Sequence, residues 1–228
     1  EVTDFGAGSK VFKSNTRAIN QIAKTAGISS KRAKLLFRMA RYFQPTTILE
    51  IGTSLGLATS ALSLGNKNAK ITTLEGCANT QAIAKELFQV SGFKFPTNNI
   101  KFVTTEFKAF LNNLKPETWN LKPDLSESEL SKQTWNLKPE TLNLKPHLVY
   151  FDGNHSKDAT LNYFELLLPT TTNETVWIFD DIHWSTDMQQ AWKIIKNHPK
   201  VTVTIDTFQW GIVFFRAGQE KEHFTIRV

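Results

Sequence analysis

Short apolar or β-branched runs alternate with helical stretches along most of this chain, and no other feature constrains its fold as tightly. Residues 46–51, 70–74, 100–104, 148–151 and 176–179 read as strands. Between and around them, 57–64, 79–90, 107–114, 159–168 and 186–197 carry helical spacing. Upstream, Ser29-Ser30-Lys31-Arg32 caps an amphipathic stretch with Ala33, Leu35, Leu36, Met39, Ala40 and Phe43, which Pro45 stops. Strand–helix alternation of this kind builds a parallel sheet covered on both faces. The last two runs, 201–208 and 210–216, are too close for a crossover helix and predict an antiparallel hairpin. The expected fold is α/β: a doubly wound, Rossmann-like sheet of five parallel strands plus a terminal antiparallel hairpin, with helices on both faces.

The chain has 228 residues, 40% of them hydrophobic, enough to bury a sizeable core. No run of 18 apolar residues occurs, so no membrane-spanning helix is expected. Cys77 is the single cysteine, which excludes an intramolecular disulfide and fits a reducing, cytoplasmic setting. The start, Glu1-Val2-Thr3-Asp4, lacks an initiator Met and reads as a chain missing its natural N-terminus. Residues 1–44 hold nine Lys and Arg against two acidic residues. Such a segment reads as a solvated helix face, or as a surface for nucleic acid, anionic lipid or an acidic substrate. It lacks the interleaved aromatics of a single-strand binder. We divide the chain into a basic segment at 1–28, read as a lid over the substrate, and one domain at 29–228. That domain is interrupted at 115–146, where the phrase Asn-Leu-Lys-Pro recurs. Its prolines bar helix and central strand, and the units are too few for a solenoid, so the insertion is expected to be exposed and without catalytic residues.

The chemistry collects where strands end. Glu50-Ile51-Gly52-Thr53-Ser54-Leu55-Gly56 is a strand, a glycine turn and a helix start. Gly52 and Gly56 let backbone approach a ligand, and the helix start offers free N–H donors. A dinucleotide turn needs glycine where Ser54 and Leu57 stand, so pyrophosphate is disfavoured. Glu50 at the strand tip suits a cationic group instead. Glu75, at the tip of the next strand and followed by Gly76, is placed to accept two ribose hydroxyls.

Asp152 follows the fourth predicted strand, and Asp180-Asp181 ends the fifth. Carboxylates brought together at adjacent strand ends repel unless a cation intervenes, such as Mg²⁺ or Ca²⁺. His155 and His183 nearby also admit Mn²⁺, Fe²⁺ or Zn²⁺. A neutral histidine can also take a proton from a hydroxyl. Trp184 could line a substrate pocket.

The pattern Glu50-x-Gly52-x-x-x-Gly56-x-x-Thr59 followed by Glu75 resembles the S-adenosylmethionine site of class I methyltransferases. The Asp152 and Asp180-Asp181 arrangement is similar to the catechol and caffeoyl-CoA O-methyltransferase branch. The resemblance implies a cofactor cradled by Glu50, Gly52, Thr53, Ser54, Gly56, Glu75 and Gly76, with Thr105, Glu106 and Asp152 completing the site. It implies Asp152, Asp180 and Asp181 as ligands for Mg²⁺ or another divalent cation, with Asp-Asp where that branch has Asp-Asn. His155 stands where the branch places a general-base lysine, so His155 and Asp152 are the expected catalytic pair. The implied activity is O-methylation of a small-molecule acceptor. The alternatives are an RNA or protein methyltransferase and a non-catalytic cofactor-binding scaffold. Nucleic acid is not favoured, since the Asn/Asp-Pro-Pro-Tyr pattern of base-amino methylation is absent after strand four. Oligomeric state is left open.

Overall fold

The computed structural model describes residues 27–90, 97–114 and 144–228, together with a two-residue antiparallel ribbon of Val2–Thr3 with Thr16–Arg17. The lid reading of 1–28 and the repeat insertion at 115–146 lie almost wholly outside the described residues.

Eight strands form one sheet. In chain order they are β1 (Thr47–Ile51), β2 (Lys70–Glu75), β3 (Ile100–Thr104), β4 (Leu148–Phe151), β5 (Val176–Phe179), β6 (Val203–Asp206), β7 (Gly211–Phe214) and β8 (Glu222–Thr225). Across the sheet they run β8-β6-β7-β5-β4-β1-β2-β3. The helices are α1 (Ser30–Phe43), α2 (Leu57–Gly65), α3 (Ala78–Val90), α4 (Phe107–Asn112), α5 (Lys157–Leu167) and α6 (Thr186–Asn197). Strands β1 to β5 pair in parallel, as expected. β7 is antiparallel to both β5 and β6, so the predicted hairpin is present.

The expected count needs one correction, because β8 adds a strand parallel to β6 at the sheet's edge. All four of its residues are exposed, so it carries no buried apolar alternation for a sequence reading to find. Backbone pairing places it there, with a 2.8 Å contact between Thr204 Oγ1 and His223 Nδ1 beside it.

Serines start the helices as their sequences suggest. Ser29, Ser156 and Ser185 each accept a backbone N–H in the first turn of α1, α5 and α6. β4 and β5 are buried at every position, as central parallel strands covered on both faces must be. Alternate residues feed two cores. Leu49, Ile51, Phe151, Trp177 and Phe179 pack with Phe164 of α5 and Trp192 of α6. Ile48, Ile71, Tyr150 and Ile178 pack with Leu36 and Met39 of α1 and Leu62 of α2. That parity decides where the polar residues go. Glu50, Thr73 and Tyr150 are register partners, so all three fall on the face covered by α1 and α2.

On the other face Gly211 leaves room for an aromatic ring. A Cβ there would sit 2.5 Å from the Trp192 ring. Gly211→Ala is therefore expected to overpack the α6 contact and cost about 1–3 kcal/mol. Urea unfolding checks this: the midpoint should fall while the slope stays constant.

Candidate functional site

Parallel register brings the strand ends level. Ile51 pairs with Leu74 on one side and Phe151 on the other, and Phe151 pairs with Phe179. The residues that follow or end these strands, Gly52, Glu75, Asp152 and Asp180, therefore share one edge. This is the edge where open parallel sheets bind ligands. Backbone strain gathers at the same place. Ser54, Asn154 and Asp181 adopt positive φ of 48°, 53° and 55°, one in each loop after β1, β4 and β5.

The turn after β1 is built tightly against its neighbours. Gly52 has φ of 104°, and a Cβ on it would lie 2.3 Å from the Asp152 carbonyl oxygen. So Gly52 is needed for the close approach of the β4 loop and for its own backbone angle. Gly56 caps α2 in the left-handed region, with φ of 78°, and faces the Phe88 ring. Gly52 and Thr53 both donate their N–H to the Leu74 carbonyl, fixing the turn to β2.

Two acidic residues serve this turn in different ways. Glu75 lies at its rim, half-buried. Its Oε2 accepts the Ser54 N–H at 2.9 Å and its Oε1 accepts the Cys77 N–H at 3.0 Å. The carboxylate is thereby held in one orientation across the turn. Gly76 is the link between Glu75 and the Cys77 N–H that ties back to it.

Glu50 lies underneath and is wholly buried. Its Oε2 accepts from Thr59 Oγ1 at 2.5 Å and from Thr73 Oγ1 at 2.6 Å. Thr73 also shares a 2.6 Å hydroxyl contact with Thr53. The other oxygen, Oε1, is buried without a partner among the described residues. Burial drives the Glu50 pKa from its usual 4.5 up to about 7, against the two threonine hydrogen bonds, with the Glu75 charge adding to the rise.

The aspartates do gather, but around a cation the chain itself supplies. Arg32 on α1 places Nη1 at 2.8 and 3.2 Å from the two oxygens of Asp180, and 3.8 Å from Asp181 Oδ1. Tyr150 donates its hydroxyl to Asp180 Oδ2 at 2.9 Å, and the Asp181 N–H donates to Asp180 Oδ1 at 2.8 Å. Burial disfavours the guanidinium charge, yet Asp180, Tyr150, Asp181 and Asp152 together raise the Arg32 pKa above its usual value. Burial first, then Asp180, Asp181 and Glu50, push Asp152 well above the ordinary carboxylate range. Burial and Asp180 also raise Asp181, while His155 and Arg32 pull it down. Burial and the two aspartates hold the Tyr150 phenol well above its usual pKa, so it remains a donor.

These residues do not fit a divalent cation as they stand. A carboxylate has about four acceptor positions, and Asp180 fills four: two with Arg32, one with Tyr150, one with the Asp181 N–H. Among the described residues, no three His, Cys, Asp or Glu side chains form a group that could hold a metal ion. The expected ligand set of Asp152, Asp180 and Asp181 is thus close in space but engaged with an arginine.

His155 comes to the same edge. Its Nε2 lies 3.6 Å from Asp152 Oδ1, and its ring centre is 6.0 Å from that of Trp184. His183 turns elsewhere: its Nε2 meets Asp206 Oδ2 at 2.9 Å, and its ring stacks on Phe208. Thr105 stands beside Glu75, donating its N–H to the Glu75 carbonyl. Glu106 has a local task, because both its carboxyl oxygens cap α4 by accepting the Lys108 and Ala109 N–H groups.

Arg32, Tyr150 and Thr73 are site residues that the sequence reading did not single out, and Thr59 entered only as the last position of the glycine-turn pattern. Arg32 had one signal: it stands one helical turn before Leu36 and two before Met39, on the buried stripe of α1.

The buried Glu50 makes stability depend on pH with a definite sign. Below pH 4.5 the carboxyl is protonated in both states, and it imposes no penalty. As pH rises toward 7 the unfolded chain ionises while the native site holds its proton, so stability falls; above about 7 the loss is complete. Relative to Glu50→Gln, the wild type should lose about 3 kcal/mol between pH 4.5 and 7.5, at about 1.4 kcal/mol per pKa unit. Denaturant titrations of both proteins across that range check the slope.

The comparisons with known proteins agree with this architecture. The family model described as a methyltransferase domain matches residues 49–182. No curated protein sequence matches the chain. Among solved structures, cofactor-bound Rv0187 from MTB is similar at 18% identity and a TM-score of 0.63, covering 87% of this chain and 86% of that one. The Bacillus cereus O-methyltransferase in complex with SAH is similar at 16% identity and 0.58, covering 86% and 88%. TomG, a Streptomyces achromogenes O-methyltransferase in complex with SAM, is similar at 16% identity and 0.61, covering 89% and 91%. The family match starts inside β1 and runs through the Asp180-Asp181 pair, so it takes in the glycine turn, Glu75 and the aspartate corner: this chain belongs to the methyltransferase-domain family and has the class I methyltransferase fold.

Proposed function

We propose that this protein transfers a methyl group from S-adenosylmethionine to an oxygen of a small-molecule acceptor. The observation that carries the reading is Glu75. Its carboxylate is pinned across the glycine turn by the Ser54 and Cys77 N–H groups, in an orientation suited to two vicinal hydroxyls. Glu50 lies beneath the same turn with Oε1 unpartnered among the described residues, and once ionised, above about pH 7, it adds negative potential that suits a cationic ligand. When bound, the cofactor supplies an electrophilic methyl group.

The chain's residues then divide the work. Glu75 holds the ribose hydroxyls. Gly52, Thr53, Ser54 and Gly56 shape the turn that receives the methionine end, and Gly76 and Thr105 border the nucleoside. Glu50 acts from below, as a positioning residue that ties Thr59 of α2 to Thr73 of β2. His155 takes the acceptor's hydroxyl proton, and Asp152 at 3.6 Å orients its ring. Trp184, partly exposed beside His155, forms an apolar wall for the acceptor.

Calorimetric titration with S-adenosylmethionine and S-adenosylhomocysteine tests the cofactor. Wild type should bind in the micromolar range, on the order of −8 kcal/mol. Glu75→Ala should lose about 1.5–3 kcal/mol of that, a ten- to hundredfold weakening. Binding by folded Glu75→Ala at wild-type strength would falsify the ribose assignment. A panel of small hydroxyl-bearing acceptors, read by S-adenosylhomocysteine release, then tests the chemistry. His155→Ala should bind the cofactor normally and turn over about 100-fold more slowly. Cofactor binding with no turnover on any acceptor points instead to a scaffold.

A further inference from the structure

The corner formed by Asp152, Asp180 and Asp181 collects three carboxylates at two adjacent strand ends, where a compensating positive charge is required. We propose that Arg32 is that charge, a cation built into α1, so that this site binds its acceptor and works without a divalent metal. The proposal rests on the methyltransferase reading above for its reaction, but not for its geometry.

Three observations support it. Arg32 comes from outside the sheet, 148 residues away in sequence from Asp180, yet its guanidinium reaches both carboxylate oxygens of that residue. Asp180 is only 4% exposed and its acceptor positions are filled, so a metal could not use it without displacing the arginine. The guanidinium also has donors to spare. Its bonds to the aspartates all use Nη1, and Nε is buried without a partner among the described residues. A guanidinium carries five N–H donors and stays charged throughout the working pH range.

The Arg32 side chain is 21% exposed, so part of it is accessible although Nε is buried. Its spare N–H donors can meet an acceptor oxygen or a neighbouring carboxylate on the acceptor. There they stabilise the negative charge that develops as His155 removes the hydroxyl proton. The proton passes to His155, and the oxygen's electron pair forms the bond to the methyl carbon while the methyl–sulfur bond breaks. No ion need enter or leave. The acceptor class this favours is a small hydroxyl compound bearing a second oxygen, which the planar donor face of Arg32 can bind beside the reacting one.

Manganese is the probe, because its spin signal reports binding with no need for an acceptor. Free Mn²⁺ should be followed by electron spin resonance as it is titrated into wild type, Arg32→Ala and Arg32→Gln. S-adenosylhomocysteine should be titrated into the same samples by calorimetry. The expected result is no Mn²⁺ uptake by wild type below about 1 mM, and uptake by both variants with a Kd near or below about 100 µM, in the range of oxygen-ligand sites. Removing the guanidinium exposes the carboxylates to the ion. S-adenosylhomocysteine affinity should stay within about threefold, because Arg32 is not among the cofactor contacts. Arg32→Gln serves where Arg32→Ala fails to fold. Tight Mn²⁺ binding by wild type overturns the proposal. Failure of both folded variants to take up Mn²⁺ overturns it too, since the arginine would then not be filling a cation's place. Loss of S-adenosylhomocysteine binding by wild type instead defeats the cofactor reading, and the manganese result still judges Arg32.

Discussion

A buried carboxylate with no counter-charge costs several kcal/mol, and one edge of this sheet concentrates five acidic residues: Glu50, Glu75, Asp152, Asp180 and Asp181. They are relieved by several means. Glu50 gives up its charge near neutral pH and accepts two threonine hydroxyls. Glu75 stays at the rim, bonded to two backbone N–H groups. Asp180 takes a guanidinium and a phenol. Asp152 and Asp181 are pushed toward protonation by burial and by one another's neighbourhood. The placement of α1 follows from this. Leu36, Met39 and Ala40 seat the helix on the sheet, and Arg32, one turn earlier, meets the acidic edge.

Strand register is the device that makes so crowded an edge. Since Ile51, Leu74, Phe151 and Phe179 stand level, every strand delivers its terminal polar residue at the same height. The left-handed backbone at Ser54, Asn154 and Asp181 then turns three loops sharply away from the strands. At Ser54 that geometry also aims a backbone N–H at Glu75. The strain at Ser54 therefore has a use, because it points a second backbone donor at the carboxylate that the Cys77 N–H also holds.

Much of this was legible in the residues. The strand–helix alternation gave the parallel sheet, and the spacing of Gly52, Gly56 and Glu75 put the turn and the ribose candidate together. What escaped did so for physical reasons. Glu50 at a strand tip can face a ligand or lie beneath it, and only the strand parity decides that it lies beneath, among threonines. At Glu106 the structure shows a capping role that a carboxylate at the start of a short helix also serves, which the sequence alone did not distinguish. β8 has no buried side chain to betray it. Arg32 was hidden by its company, a run of lysines and arginines that reads as a solvated face. Lys31, Lys34, Arg38 and Arg41 are exposed, as that reading expects, and Arg32 alone of the five turns inward.

A cation tethered to a helix differs in kind from one held by ligands. A metal ion's position is set by the balance of its ligands, and its occupancy by supply. The Arg32 guanidinium is placed by α1, whose seat on the sheet is apolar packing of Leu36, Met39 and Ala40. Its charge is therefore always present, but its position is only as fixed as that packing. Salt would screen an exposed pair of this kind, but Asp180 is nearly inaccessible and the guanidinium is largely covered. Breaking such a pair from one side strands the other charge, a cost of about 3–5 kcal/mol. The acidic edge and the helix that covers it are thus coupled: α1 cannot leave its seat without exposing the aspartates, and the aspartates cannot be left unpaired without releasing α1. A segment entering the fold ahead of the first strand becomes, through a single side chain, part of the chemistry at the far ends of the fourth and fifth.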